Sequence, residues 1–162
     1  ESLAGRILRV GVFVNPEPDL PLELLEKGWI DAIQLHGDET PEQAAPYRDA
    51  KAPFIKAIGV AGSEHLKQAL DYGAQALLMD AHAPGVYGGT GETFDWNTAI
   101  RFKQEHPDLP IILAGGIVPE NALEAAQAVF PAALDVASGA EISPGRKDFD
   151  KVQELLTTTR GC

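Results

Sequence analysis

Six short apolar runs recur along this chain, at Leu8–Val14, Ala32–His36, Phe54–Ile58, Ala76–Asp80, Ile111–Ala114 and Ala133–Ala137. Most are continuous rather than alternating in polarity, which is the pattern of a strand buried on both faces. Each is followed by a stretch with helical character: Leu20–Gly28, Pro41–Ala50, Ser63–Tyr72, Trp96–His106, Pro119–Phe130 and Lys147–Thr158. The helix ends carry local signals. Thr40, Ser63 and Asp95 are expected N-caps, Pro41 and Pro119 stand at first helical positions, and Gly73 is a stop. Alternation of this kind predicts an α/β fold, a parallel βα-repeat of six βα units with right-handed crossovers, in a single domain over residues 1–162.

Composition narrows the partners. A net charge of −11 argues against nucleic acid and against anionic membrane surfaces. No apolar run approaches the roughly 18 residues that cross a bilayer, and no leader pattern opens the sequence, so a cytoplasmic protein is expected. The only cysteine is Cys162, the last residue, which excludes an intrachain disulfide and a cysteine-based metal site. It is read as an exposed terminal thiol.

An anionic ligand must then be held by local devices against the overall field. Two segments offer them. Ala114-Gly115-Gly116-Ile117 and Asp135-Val136-Ala137-Ser138-Gly139-Ala140 each end a strand in small residues that open toward a helix. Backbone N–H groups bared by Gly115, Gly116, Ser138 and Gly139 can hold a phosphate at two helix N-termini without a Lys or Arg. An open doubly wound sheet places its phosphate turn after the first strand, where this chain has Val14-Asn15-Pro16-Glu17 and no glycine fingerprint. Phosphate-like turns after the last two strands point to a TIM-barrel type of closure.

Other polar residues have two readings. His36, at the end of its strand, lines a pocket or organises its loop through Asp38 or Glu39. Gln34 and Lys56 interrupt apolar strands and either contact ligand or form buried pairs, with Asp135 the natural partner of Lys56. Gly88-Gly89-Thr90-Gly91 is a loop that matches neither a P-loop nor a dinucleotide fingerprint. Trp29 and Trp96 are expected to pack helices on the sheet, and His65, His82 and His106 to lie on the surface or in loops.

Taken in order, Val10-Gly11-Val12-Phe13-Val14-Asn15, Gln34-Leu35-His36-Gly37-Asp38-Glu39, Lys56-Ala57-Ile58, Leu78-Met79-Asp80, Gly88-Gly89-Thr90-Gly91, Phe94-Asp95-Trp96, Leu113-Ala114-Gly115-Gly116-Ile117 and Leu134-Asp135-Val136-Ala137-Ser138-Gly139 resemble the phosphoribosylanthranilate isomerase family. The resemblance covers nearly the whole chain. It implies a (βα)8 barrel and an intramolecular aldose–ketose isomerase of tryptophan biosynthesis. Its substrate is a phosphorylated small molecule, rearranged by Amadori chemistry without metal or cofactor. It further implies that Asp80 is the general acid toward the ribose ring oxygen, that His36, Gly88, Gly89 and Asp135 border the substrate, and that Gly115, Gly116, Ser138 and Gly139 cradle its phosphate.

In this resemblance Val10–Val14 corresponds to the third strand of the barrel, and no Lys-Ile-Cys-Gly-like motif carrying the family's base cysteine is present. The expectation is a shortened barrel with weak or no turnover, needing another base such as Asp135 or a group from a partner chain. A catalytically silent phosphate-binding or structural remnant is the alternative. The strand edges at 8–14 and 133–137 would be open in such a form, and exposed edges with bare apolar surface predict a homodimer.

Overall fold

The computed structural model describes residues 5–59, 66–80 and 96–161. These fall into two compact units, the first holding 5–58 and 66–78 and the second 79–80 and 96–161 together with Gly59.

The first unit is built from β1 (Val10–Phe13), α1 (Asp19–Glu26), β2 (Ala32–Leu35), α2 (Ala45–Asp49), β3 (Phe54–Gly59), a 3-10 turn at Ala69–Tyr72 and the start of β4 (Ala76–Asp80). Its strands are hydrogen-bonded in chain order and β1, β2 and β3 run parallel, with Val10 opposite Ala32 and Ile33 opposite Phe54. All four residues of β2 are buried, as a continuous apolar run demands. Ile33, Leu35, Tyr47, Phe54, Leu77 and Leu78 form the core. At the N-terminal ends of these strands the Arg9 guanidinium meets Asp31 through two parallel 2.8 Å bonds, tying the start of β1 to that of β2.

The helix predicted over 41–50 is regular only from Ala45 to Asp49. Pro46 has no N–H, so the bond to Glu42 cannot form and the first turn stays irregular. Thr40 nevertheless caps that turn: its Oγ1 accepts from Gln43 N, and Gln43 Oε1 accepts from Thr40 N at 2.8 Å. Trp29 does not pack into the sheet. It is 65% exposed, with Lys27 Nζ 5.4 Å from its ring centre.

The second unit continues β4 and adds α3 (Trp96–Glu105), β5 (Ile111–Ala114), α4 (Pro119–Val129), β6 (Ala133–Leu134), a 3-10 turn at Ser138–Ala140, a hairpin of β7 (Glu141–Ser143) and β8 (Arg146–Lys147), and α5 (Phe149–Thr158). β5 and β6 are parallel, with Leu113 opposite Leu134, and α4 packs against both α3 and α5. The strand predicted over 133–137 is shorter. Asp135 N still donates to Leu113 O at 2.8 Å, but the next residues turn into the 3-10 segment. The helix predicted from Lys147 begins instead at Phe149. Pro144-Gly145 turns the preceding chain into a hairpin that takes Lys147, and Asp148 becomes the N-cap, accepting from Asp150 N and Lys151 N. No described helix is long and apolar enough to cross a membrane.

Candidate functional site

The two glycine turns of the second unit come together. An added Cβ on Gly139 would lie 1.9 Å from the carbonyl oxygen of Ile117, so only glycine allows the Ser138 turn to rest on the Gly115-Gly116-Ile117 turn. Gly116 has φ +67° and open space around it, so it is required by backbone conformation rather than by crowding. The β5 turn is locked by Asn121. Its Oδ1 accepts from Val118 N at 2.9 Å and its Nδ2 donates to Gly116 O at 2.9 Å, which fixes the entry to α4. Together these turns line a cavity of about 320 Å³, with Gly116, Ser138, Gly139, Glu120 and Lys151 among its walls.

The sequence singled out Gly115, Gly116, Ser138 and Gly139 but not Lys151 or Lys147. Lys151 reaches the cavity from the first turn of α5, its Nζ donating to Glu141 O at 2.9 Å. Lys147 Nζ donates to Ala137 O at 2.8 Å and to Glu141 Oε1 at 3.0 Å, bracing the other side of the Ser138 turn. Glu141 is held below the usual carboxylate range, chiefly by the hydrogen bond from Lys147.

Asp80 terminates β4 and is half-buried after the three buried residues Leu77, Leu78 and Met79. Asp135, just past β6, is exposed. Each stands at the C-terminal end of its own parallel strand, the end at which barrel enzymes carry their chemistry. Gly88 and Gly89 lie outside the described residues, as do Ser63, His65, His82, Asp95 and Cys162.

In the first unit His36 follows β2. Its Nδ1 is 2.9 Å from Gln34 Nε2, and its backbone N donates to Phe13 O at 2.8 Å. The loop behind it is organised by Glu39 through Lys56 and backbone N–H groups, while the His36 ring meets Gln34. The carboxylate that meets Lys56 is also Glu39, where Asp135 was expected. Lys56 Nζ donates to Glu39 Oε2 at 2.8 Å and to Gly37 O at 2.8 Å, and both side chains are 3% exposed. A strand residue finds its partner in the loop just beyond the neighbouring strand, because that loop folds back over the strand end. Glu39 also accepts from Asn15 N at 2.8 Å and from Gly37 N at 3.1 Å, while Asn15 Oδ1 accepts from Asp38 N. The Tyr72 hydroxyl closes the cluster by donating to Glu39 O at 2.9 Å. Burial pushes the Glu39 carboxyl up, but the bonds from Lys56 and Asn15 outweigh it, so the group sits below its ordinary value. Gly37 cannot carry a side chain here: a Cβ would lie 2.4 Å from Asn15 Oδ1.

Among the described residues no three His, Cys, Asp or Glu side chains gather in a metal-ligand arrangement.

The comparisons with known proteins agree with one another. Residues 2–158 match the model of the N-(5'-phosphoribosyl)anthranilate (PRA) isomerase family. The isomerase of Acidithiobacillus ferrooxidans is 43% identical over 164 residues, covering 99% of this chain and 75% of that relative. That of Citrifermentans bemidjiense is 41% identical, covering 97% and 77%. The crystal structure of the Thermotoga maritima enzyme superposes with a TM-score of 0.85 at 36% identity, over 99% of this chain and 77% of that one, so the TIM-barrel-type fold expected from the sequence is shown. A further isomerase, solved with reduced 1-(o-carboxyphenylamino)-1-deoxyribulose 5-phosphate, gives a TM-score of 0.79 at 32% identity, covering 98% and 74%. None of this supports the expectation of a shortened barrel with weak turnover. That expectation rested on where the sequence starts, and a first residue carries no information about what precedes it. By family model, by relatives of about two-fifths identity and by fold, the chain belongs to the N-(5'-phosphoribosyl)anthranilate isomerase family.

Proposed function

We propose that this chain isomerises N-(5'-phosphoribosyl)anthranilate to the corresponding 1-deoxyribulose 5-phosphate in tryptophan biosynthesis. The observation that carries the reading is the seating of Gly139 on Ile117 O, which joins two backbone turns around one cavity of about 320 Å³. The substrate phosphate docks there on N–H groups of the Gly115-Gly116 and Ser138-Gly139 turns. Asp80, half-buried at the end of β4, acts as general acid. It protonates the ribose ring oxygen and the ring opens to an iminium; a general base takes the C2' proton to give an enolamine, which becomes the ketone by protonation at C1' and release of the 2'-hydroxyl proton. Asp135, just past β6, borders the substrate. Neither a metal nor an organic cofactor takes part, and the reaction takes place in the cytoplasm.

The test is a fluorescence assay of PRA consumption by purified protein, with Asp80→Asn beside it. Turnover that falls by 10²-fold or more on that substitution supports the assignment, since a positioned acid contributes about 10²–10⁴-fold. Turnover unaffected by Asp80→Asn would remove Asp80 from the chemistry.

A further inference from the structure

We propose that Lys151 supplies a cationic contact to the substrate phosphate. The inference rests on the reading of the Gly116–Ser138 cavity as the phosphate site. Lys151 lines that cavity beside Gly116, Ser138 and Gly139. Its position is set twice. Its backbone N donates to the N-cap carboxylate of Asp148, and its ammonium donates to Glu141 O at 2.9 Å. An ammonium has three N–H groups, and Glu141 O takes one, so donors remain for a second acceptor.

Charge makes the contact necessary. The chain carries a net charge of −11, and Glu120, at the first turn of α4, lines the same cavity. A phosphate dianion there faces one carboxylate and a repulsive overall field. A helix N-terminus carries only about half a positive charge, so a full ammonium charge adds the larger attraction for a phosphate. Lys147 does not line the cavity, and two of its three N–H groups go to Ala137 O and Glu141 Oε1. Lys151 is therefore the cation that offsets Glu120.

The experiment compares wild type with Lys151→Gln, Lys151→Met and Lys151→Arg. Gln keeps a donor for Glu141 O and loses the charge, Met loses both, and Arg keeps both. Inorganic phosphate is titrated as the probe, followed by the backbone amide shifts of Gly116 and Gly139, and the KM for PRA is measured in parallel. Lys151→Gln and Lys151→Met should both weaken phosphate binding about tenfold, with kcat/KM falling mainly through KM, and Lys151→Arg should stay within about threefold. Wild-type affinity in Lys151→Gln with loss in Lys151→Met would assign the residue to bracing Glu141 and overturn the proposal, as would wild-type affinity in both. Wild type that binds phosphate at these amides yet does not turn PRA over removes the proposed reaction but leaves the lysine's role to be read from the same shifts. Wild type that shows no phosphate shift at Gly116 or Gly139 removes both.

Discussion

Replacing Lys56 by Met tests whether the buried pair with Glu39 holds the loops after β1 and β2 in place. Met fills the volume of the lysine stem, so the substitution removes charge and hydrogen bonds with little cavity cost. Two contacts of 2.8 Å disappear, one to Glu39 Oε2 and one to Gly37 O. Hydrogen bonds to charged groups are each worth about 1.5–3 kcal/mol, and removing one member of a buried ion pair costs about 3–5 kcal/mol. With Glu39 and Lys56 each 3% exposed, solvent cannot replace the lost partner. The expected loss is about 3–5 kcal/mol of unfolding free energy, a large share of the roughly 5–15 kcal/mol of an ordinary domain. Urea unfolding followed by circular dichroism measures it. The double variant Lys56→Met/Glu39→Gln should lose clearly less than the sum of the two single losses, because the carboxylate stranded by the first change is neutralised by the second. The pH dependence has a definite sign. The folded Glu39 carboxyl lies below its unfolded value of 4.5, so its contribution is complete above that pH and is lost as pH falls through the folded value. Lys56→Met removes the chief downward influence and should flatten that acid-side loss. A cost under about 1 kcal/mol, or strictly additive single losses, would refute the view that Lys56 and Glu39 act as one buried unit.

Gly139→Ala and Gly116→Ala should differ in kind. The first drives a Cβ to 1.9 Å from Ile117 O and should abolish phosphate binding at these amides. The second meets nothing within 4 Å and should cost only about 1–2 kcal/mol, the penalty of a left-handed backbone, in thermal unfolding. Asp31 is held down to about 2, first by the side-chain bond from Arg9 and then by Arg9 N, against an ordinary 3.8. Its stabilising contribution is therefore full above 3.8 and fades as pH falls toward 2, which carbon-detected titration of its carboxyl checks, and Asp31→Asn should lower the melting temperature at pH 7 more than at pH 2. Asp148→Ala removes the acceptor for Asp150 N and Lys151 N and should cost about 0.5–2 kcal/mol in urea unfolding.

Much of the fold and part of the site are written locally. β4 and β5 follow the apolar runs to the residue because those runs are buried on both sides and end abruptly in polar or small residues. Pro119 opens α4 where a proline's missing N–H costs nothing. The glycine turns were visible because small residues after late strands have few other uses. What failed did so for nonlocal or competing reasons. Pro46 overrode a helix that composition favoured, and Pro144-Gly145 formed a hairpin where periodicity extended α5. Lys56 could be recognised as a buried cation from its place in a strand, but its partner could not. Glu39 is 17 residues away and reaches Lys56 only because the β2 loop doubles back. Lys151 was invisible for the same reason: one helical position among several becomes a cavity wall only when α5 is set against the Ser138 turn. The sequence by itself determined the βα order, the strand end at Asp80 and the one just before His36, and the two glycine turns, because these depend on period and backbone freedom. Only the tertiary structure decided which charges meet, because a charge finds its partner through space and not along the chain.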